Sequence, residues 1–215
     1  MFHVKQPPPP TLSRLPDRAP PDAAQQAMLD AYLDLLIRWN GRINLVADAA
    51  PEVLRQRHIL DCWQLAALVP PGDEPMADLG AGAGLPGLVL AIATGRPTHL
   101  VESDRRKAAF LTEAAARLDL KRVKVHPTRI EDAILPPLAL VTARALAPLD
   151  RLLPHAARLL APGGIAIFPK GRTADAELAA ARAAWTCQVE RFASQTDREA
   201  TIFRLSDIRH ASPEA

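Results

Sequence analysis

Ten consecutive residues, Asp78-Leu79-Gly80-Ala81-Gly82-Ala83-Gly84-Leu85-Pro86-Gly87, join one carboxylate to four glycines, three of them at alternate positions. Lacking Cβ atoms, such a stretch lets backbone approach a ligand closely, and its place between two apolar runs reads as the strand-turn-helix corner that holds a nucleoside cofactor. Gly82, Gly84 and Gly87 satisfy G-x-G-x-x-G, the dinucleotide pattern, and Glu102 lies 20 positions beyond Gly82, where a ribose-binding acid is expected. From Asp78 onward the same residues also read D-x-G-x-G-x-G. Other chemistry-bearing groups are sparser. His58 and Asp61 stand three apart and share a helix face, which suits acid-base work or a structural hydrogen bond from helix to core. Cys62 and Cys187 match no metal or redox spacing and read as structural thiols in a reducing compartment; no metal is expected.

The elements that must position these groups follow from periodicity. Residues 1–21 hold seven of the 21 prolines, including Pro7 to Pro10, and read as a disordered tail. Residues 22–72 read as a helical extension. Met28, Leu29, Tyr32, Leu33, Leu36 and Trp39 recur at helical steps before Asn40-Gly41. A second helix, capped by Asp48 or Ala49 with Pro51 in its first turn, runs to Val69. From residue 73 to 208 strands and helices alternate: strands at Met76 to Leu79, Thr98 to Glu102, Val123 to His126, Leu138 to Ala143 and Ile165 to Phe168. Between them come helices at Leu88 to Thr94, Arg105 to Leu118, Leu149 to Leu160 with a break or kink at Pro154, and then Ala174 to Ala184. This alternation predicts an α/β fold with a parallel sheet whose ligands bind at the carboxyl ends of the strands, where the glycine loop, Glu102, Ile130-Glu131 and Arg144 all fall. Thr186 to Phe192 and Ala200 to Leu205 have no helix between them and predict a closing antiparallel hairpin.

Composition sets bounds. The chain has 215 residues, 48% of them hydrophobic, enough for one main domain with a real core. A net charge of +2 and a sequence pI near 8.7 permit an RNA partner without requiring one. No apolar run approaches the roughly 18 to 20 residues that cross a bilayer, and Met1 to Pro7 lacks the core of a secretory signal. A cytoplasmic protein is the expectation.

The D-x-G-x-G-x-G pattern resembles the first motif of class I S-adenosylmethionine methyltransferases, and a final antiparallel hairpin belongs to their Rossmann-like topology rather than to dinucleotide dehydrogenases. A narrower resemblance rests on Trp39 to Leu45, Arg57-His58-Ile59-Leu60-Asp61, Asp78 to Gly87, Glu102-Ser103 with Arg106-Lys107 and Phe110-Leu111, Arg129-Ile130-Glu131, Thr142-Ala143-Arg144-Ala145 and Lys170-Gly171. Together these are similar to the RsmG (GidB) family, which methylates N7 of a guanine in bacterial 16S ribosomal RNA. Two departures stand out: Ala81 where the family usually carries Thr, and Glu102 where it often carries Asp.

The resemblance implies S-adenosylmethionine as cofactor, held by Gly80 and Leu85, by Glu102 on the ribose, by Ile130 and Glu131 near the adenine, and by Arg144. It also implies a monomer that meets its RNA within the small ribosomal subunit. Arg144 suits the methionine carboxylate, an RNA phosphate, or a salt bridge to Glu102 or Glu131. Phosphate contacts are expected from Arg42, Arg57, Lys170 and Arg172, the last two by their place after the fifth parallel strand. N7 carries an in-plane lone pair, so its attack on a sulfonium methyl needs no general base, only alignment. Two other readings compete: an NAD-dependent oxidoreductase using Gly82, Gly84, Gly87 and Glu102, and a nonenzymatic RNA-binding protein on the same scaffold.

Overall fold

A computed structural model describes residues 12–48 and 50–211. Helix α1 (Ala23–Asn40) starts at a capping box: the Asp22 carboxylate accepts from the Gln25 amide and the Gln25 side chain accepts from the Asp22 amide. Its apolar stripe buries Leu29, Tyr32, Leu33, Leu35 and Leu36. The Asn40 Oδ1 then accepts from the amides of Leu45 and Val46, which turns the chain away.

The second helical segment begins at Pro51 with Ala50 as its cap, one or two residues later than the sequence pattern suggests; Ala49 lies outside the described residues. It is not one regular helix. α2 (Pro51–Leu54) passes into a π-helical turn at Arg55–Leu60, then α3 (Asp61–Trp63), then a 3-10 turn at Gln64–Leu68. A π turn holds one extra residue and so re-aims the side chains that it carries. Here it carries His58.

The remaining elements alternate as the pattern requires: β1 (Met76–Leu79), α4 (Gly87–Thr94), β2 (Thr98–Val101), α5 (Arg105–Arg117), β3 (Val123–His126), β4 (Leu138–Thr142), α6 (Leu149–Leu159), β5 (Leu160–Lys170), α7 (Ala174–Ala181), β6 (Trp185–Ala193) and β7 (Thr201–His210). Helix α6 runs uninterrupted through Pro154. β5 starts earlier than Ile165 because Leu160 already pairs with Leu138 across a register shift.

The seven strands lie in the order β3-β2-β1-β4-β5-β7-β6. All neighbours are parallel except β7, which is antiparallel to both β5 and β6. This is the expected methyltransferase sheet with its closing hairpin. Strand order reverses between β1 and β4, and the crevice outside their carboxyl ends is the position where open α/β sheets bind ligands. Alternating side chains divide the core into two faces: Leu140 joins a cluster with α1, the π-bearing segment, α4 and α5, whereas Val141 joins one with α6 and α7. The residues of 22–72 thus share a buried cluster with the sheet.

The expected disordered tail, 1–21, is corrected where it is described; its proline run Pro7 to Pro10 lies outside the described residues. Ser13 bridges to Phe192 of β6, and Leu15 is buried. Arg18 stacks over Trp63 and donates to the Ala93 carbonyl at 2.8 Å, and the Trp63 indole N–H donates to the Ala19 carbonyl. An extended, proline-rich strand needs no internal hydrogen bonds, so it can lie along a surface once a few side chains find pockets. No helix among the described residues is long and apolar enough to cross a membrane.

Candidate active site

The glycine loop is fixed from three sides. Asp78, fully buried at the end of β1, accepts the Gly87 amide at 2.9 Å and the Thr142 hydroxyl at 2.9 Å. A Cβ on Gly87 would stand 2.7 Å from the Asp78 Cβ, so the closure demands glycine. Burial pushes the Asp78 carboxyl up to about 7, against the pull of those two hydrogen bonds. From α1 the buried Tyr32 hydroxyl donates to the Ala83 carbonyl at 2.5 Å. Just after β2 the Glu102 carboxylate accepts the Gly82 amide at 2.8 Å through one oxygen and the Asp104 amide at 2.8 Å through the other. Sequence reasoning found Asp78 and Glu102 by spacing. It missed Tyr32, whose only sequence signal is an aromatic at a helical core position.

Glu102 is 8% exposed, and among the described residues no cation pairs with it. Two amides leave each carboxylate oxygen a lone pair for a hydroxyl donor. Gly80 sits beside it with φ +63, and a Cβ there would meet the Leu146 side chain at 2.5 Å. Leu85 is buried in the same turn. Ile130 and Glu131 lie in the turn after β3, the strand next to β2. Arg158 of α6 holds that turn by donating to the Ile130 and Ala133 carbonyls, and among the described residues the Glu131 amide makes no hydrogen bond.

Arg144 follows β4. Its guanidinium donates to His58 Nδ1 at 3.0 Å and lies 3.8 Å from Asp61 Oδ2. The pairing weighed from sequence, with Glu102 or Glu131, is not formed; His58 of the π turn and Asp61 at the start of α3 stand at the strand end instead. His58 and Asp61 do not bond each other. Asp61 Oδ1 accepts from Gln64 Nε2 at 2.8 Å and from the Thr196 hydroxyl at 2.6 Å, which ties the helical segment to the turn between β6 and β7. Burial and the neighbouring Arg144 lower the pKa of His58. Ala145 adopts the left-handed conformation, φ 52, which costs an alanine about 1 kcal/mol and turns Leu146 back onto Gly80.

A cleft of about 880 Å³ opens beside this cluster, lined among others by Arg57, His58, Asp61, Arg144, Lys170 and Arg172. Its cations are not equivalent. Lys170 is 8% exposed along its side chain, pairs with Glu177 at 2.9 Å and donates to the Ala147 carbonyl at 2.5 Å. It pins the loop that carries Arg144, so a phosphate at Lys170 would have to compete with these two internal partners. Burial alone would raise the Glu177 carboxyl, but hydrogen bonds from Lys170 and Thr173 bring it below the usual range. Arg57 is exposed. Arg172 is 80% exposed along its side chain in a surface pair with Glu199, an association weak enough to exchange for another anion. Arg42, exposed after α1, lies outside the cleft. The described residues contain no group of three or more side chains able to hold a metal ion.

A sequence model described as "rRNA small subunit methyltransferase G" matches residues 25–201. The chain belongs to that family. It is 57% identical over 189 residues to the ribosomal RNA small subunit methyltransferase G of Acidiphilium cryptum, covering 86% of each chain. It is 48% identical to the protein of the same name from Granulibacter bethesdensis, covering 97% of this chain and 99% of that one. Among solved structures, an O-methyltransferase from Bacillus cereus in complex with SAH superposes with TM-score 0.58 at 14% identity, covering 86% of this chain and 97% of that chain. At that identity the likeness speaks for the fold alone. Family membership decides against the oxidoreductase reading and for an enzyme of methyl transfer.

Proposed function

We propose that this protein transfers the methyl group of S-adenosylmethionine to N7 of a guanine in bacterial 16S ribosomal RNA. The reaction is carried by membership of the methyltransferase G family, and the cofactor by Glu102: a carboxylate with no cationic partner among the described residues, oriented by the amides of Gly82 and Asp104 beside the glycine loop, is built to accept from vicinal hydroxyls. Gly80 and Leu85 give backbone-level access for the rest of the cofactor, and the Glu131 amide, without a hydrogen bond among the described residues, suits its base together with Ile130. Arg144 supports a carboxylate or phosphate at the end of β4, with His58 and Asp61 holding its guanidinium in place. Bound S-adenosylmethionine supplies the electrophilic methyl. The protein's part is alignment: N7 needs no deprotonation, and proximity with orientation accounts for large rate factors by itself. Exposed Arg57 and Arg172 at the cleft, with Arg42 farther out, suit phosphate contacts that place the RNA. A monomer acting in the cytoplasm on rRNA within the small subunit completes the proposal.

Ligand-dependent melting tests the cofactor. S-adenosylhomocysteine should raise the melting temperature of the purified protein and NAD should not, because a ligand selective for the native state stabilises by mass action. A shift with NAD alone would reverse the reading.

A further inference from the structure

The hydrogen bond between Arg144 and His58 fixes a tautomer. A guanidinium has only donors, so at 3.0 Å from Arg144 Nη1 the Nδ1 of His58 must offer its lone pair. In the neutral ring the proton then sits on Nε2. His58 lines the cleft, and among the described residues no protein group hydrogen-bonds Nε2. The result is a single neutral N–H donor adjoining the arginine that ends β4.

Beside N7, guanine presents the O6 acceptor, whereas adenine presents an N6 amino donor. We propose that His58 is a specificity-determining residue: its Nε2–H donates to O6 of the acceptor guanine, an inference that rests on the guanine-N7 reading above. An adenine in the same pose would set donor against donor. Charge points the same way. Methylation leaves the base cationic, so a neutral donor at O6 serves the reaction where an imidazolium would oppose it. The charged groups facing His58 are Arg144 from the loop after β4, Asp61 from its own helical segment and Asp48 before it, together with the backbone of Arg57. Protonation of Nδ1 would break the Arg144 bond, so the contact itself keeps the ring neutral. Asp61, which also lines the cleft, is not a competing reader of O6, since a carboxylate accepts hydrogen bonds and has none to donate to that oxygen.

The test uses small subunits reconstituted with splint-ligated 16S ribosomal RNA that carries guanosine, inosine or 2-aminopurine riboside at the methylated position. Inosine keeps O6 and lacks the 2-amino group; 2-aminopurine keeps that group and lacks O6. Wild-type enzyme should methylate guanosine and inosine at similar rates and 2-aminopurine at least about tenfold more slowly, the scale of one lost hydrogen bond with its donor left unpaired. His58→Ala should lose about the same factor on guanosine and lower the guanosine to 2-aminopurine ratio about tenfold from its wild-type value, a comparison between enzymes in which intrinsic N7 reactivity cancels. His58→Gln, whose amide can accept from Arg144 and still donate, should restore both rate and ratio. S-adenosylhomocysteine affinity should fall in His58→Ala no further than in Arg144→Ala, since His58 also steadies that arginine, whereas a merely structural role would leave the guanosine to 2-aminopurine ratio at its wild-type value. Wild-type indifference to loss of O6, or an unchanged ratio in His58→Ala, overturns the inference alone. Absence of 7-methylguanosine from wild-type enzyme on unmodified subunits overturns the functional reading and this inference with it.

Discussion

At the scale of single residues, the glycine loop depends on one buried acid. The fully buried Asp78 carboxyl accepts from the Gly87 amide and the Thr142 hydroxyl and pairs with no cation among the described residues, and burial lifts its pKa to about 7. A folded-state pKa above the unfolded value of about 3.9 means that the group stabilises most below that value and loses the contribution as pH rises through about 7. His99 and His126 act with the opposite sign. Their rings share a hydrogen bond of 2.9 Å, and burial lowers both pKa values, so their contribution is present above about 6.5 and is lost as pH falls. Wild-type acid behaviour therefore mixes the two, and a difference against Asp78→Asn isolates the acid. Urea denaturation should show Asp78→Asn less stable than wild type at pH 5, with the gap narrowing at pH 8, where the wild type carries a buried charge. A gap independent of pH would mean that Asp78 is ionised throughout. Asp78 and Glu102 were legible because their spacing from the glycines is local. Tyr32 reaches Ala83 across 51 positions, and no local pattern encodes such a contact.

At the scale of elements, alternation placed the strands and helices, because a buried parallel strand and an amphipathic helix each leave a periodic trace. Two features left none. The π turn at Arg55–Leu60 shares its composition with an α-helix and is set by what its side chains meet, Arg144 above all. Residues 12–21 read as unpacked because proline dominates, yet Leu15 and Arg18 suffice to seat them. Lys170 shows the same limit: its position at the end of β5 suggested RNA, and its partner Glu177 on α7 makes it a clamp on the loop carrying Arg144. Lys170→Ala should cost about 3 kcal/mol of stability, as expected when one member of a buried pair is removed. It should leave the salt dependence of RNA binding unchanged. Arg57→Ala combined with Arg172→Ala should do the reverse, keeping stability and flattening the plot of log affinity against log salt by about one unit per lost phosphate contact. A flattened slope in Lys170→Ala would return that lysine to the RNA surface.

At the scale of the whole molecule, the sheet brings three strand ends together: the glycine loop after β1, Glu102 after β2 and Arg144 after β4. The order of strands explains why Asp78 and Arg144, 66 positions apart, lie at the same end of two neighbouring strands. The helices of α1 and the π-bearing segment close it from one side through Tyr32, His58 and Asp61, and the β6–β7 turn closes it from another through Thr196. Net charge contributes little at +2, so placement of a few arginines matters more than total charge. Methyl transfer to guanine N7 is tested most directly by incubating purified protein with methyl-labelled S-adenosylmethionine and small subunits from cells lacking this gene. The digested 16S ribosomal RNA should yield labelled 7-methylguanosine, reduced at least about a hundredfold by Arg144→Ala, in keeping with loss of an anchoring charge at a reacting centre. Label in any other nucleoside, or none while S-adenosylhomocysteine still binds, would contradict it.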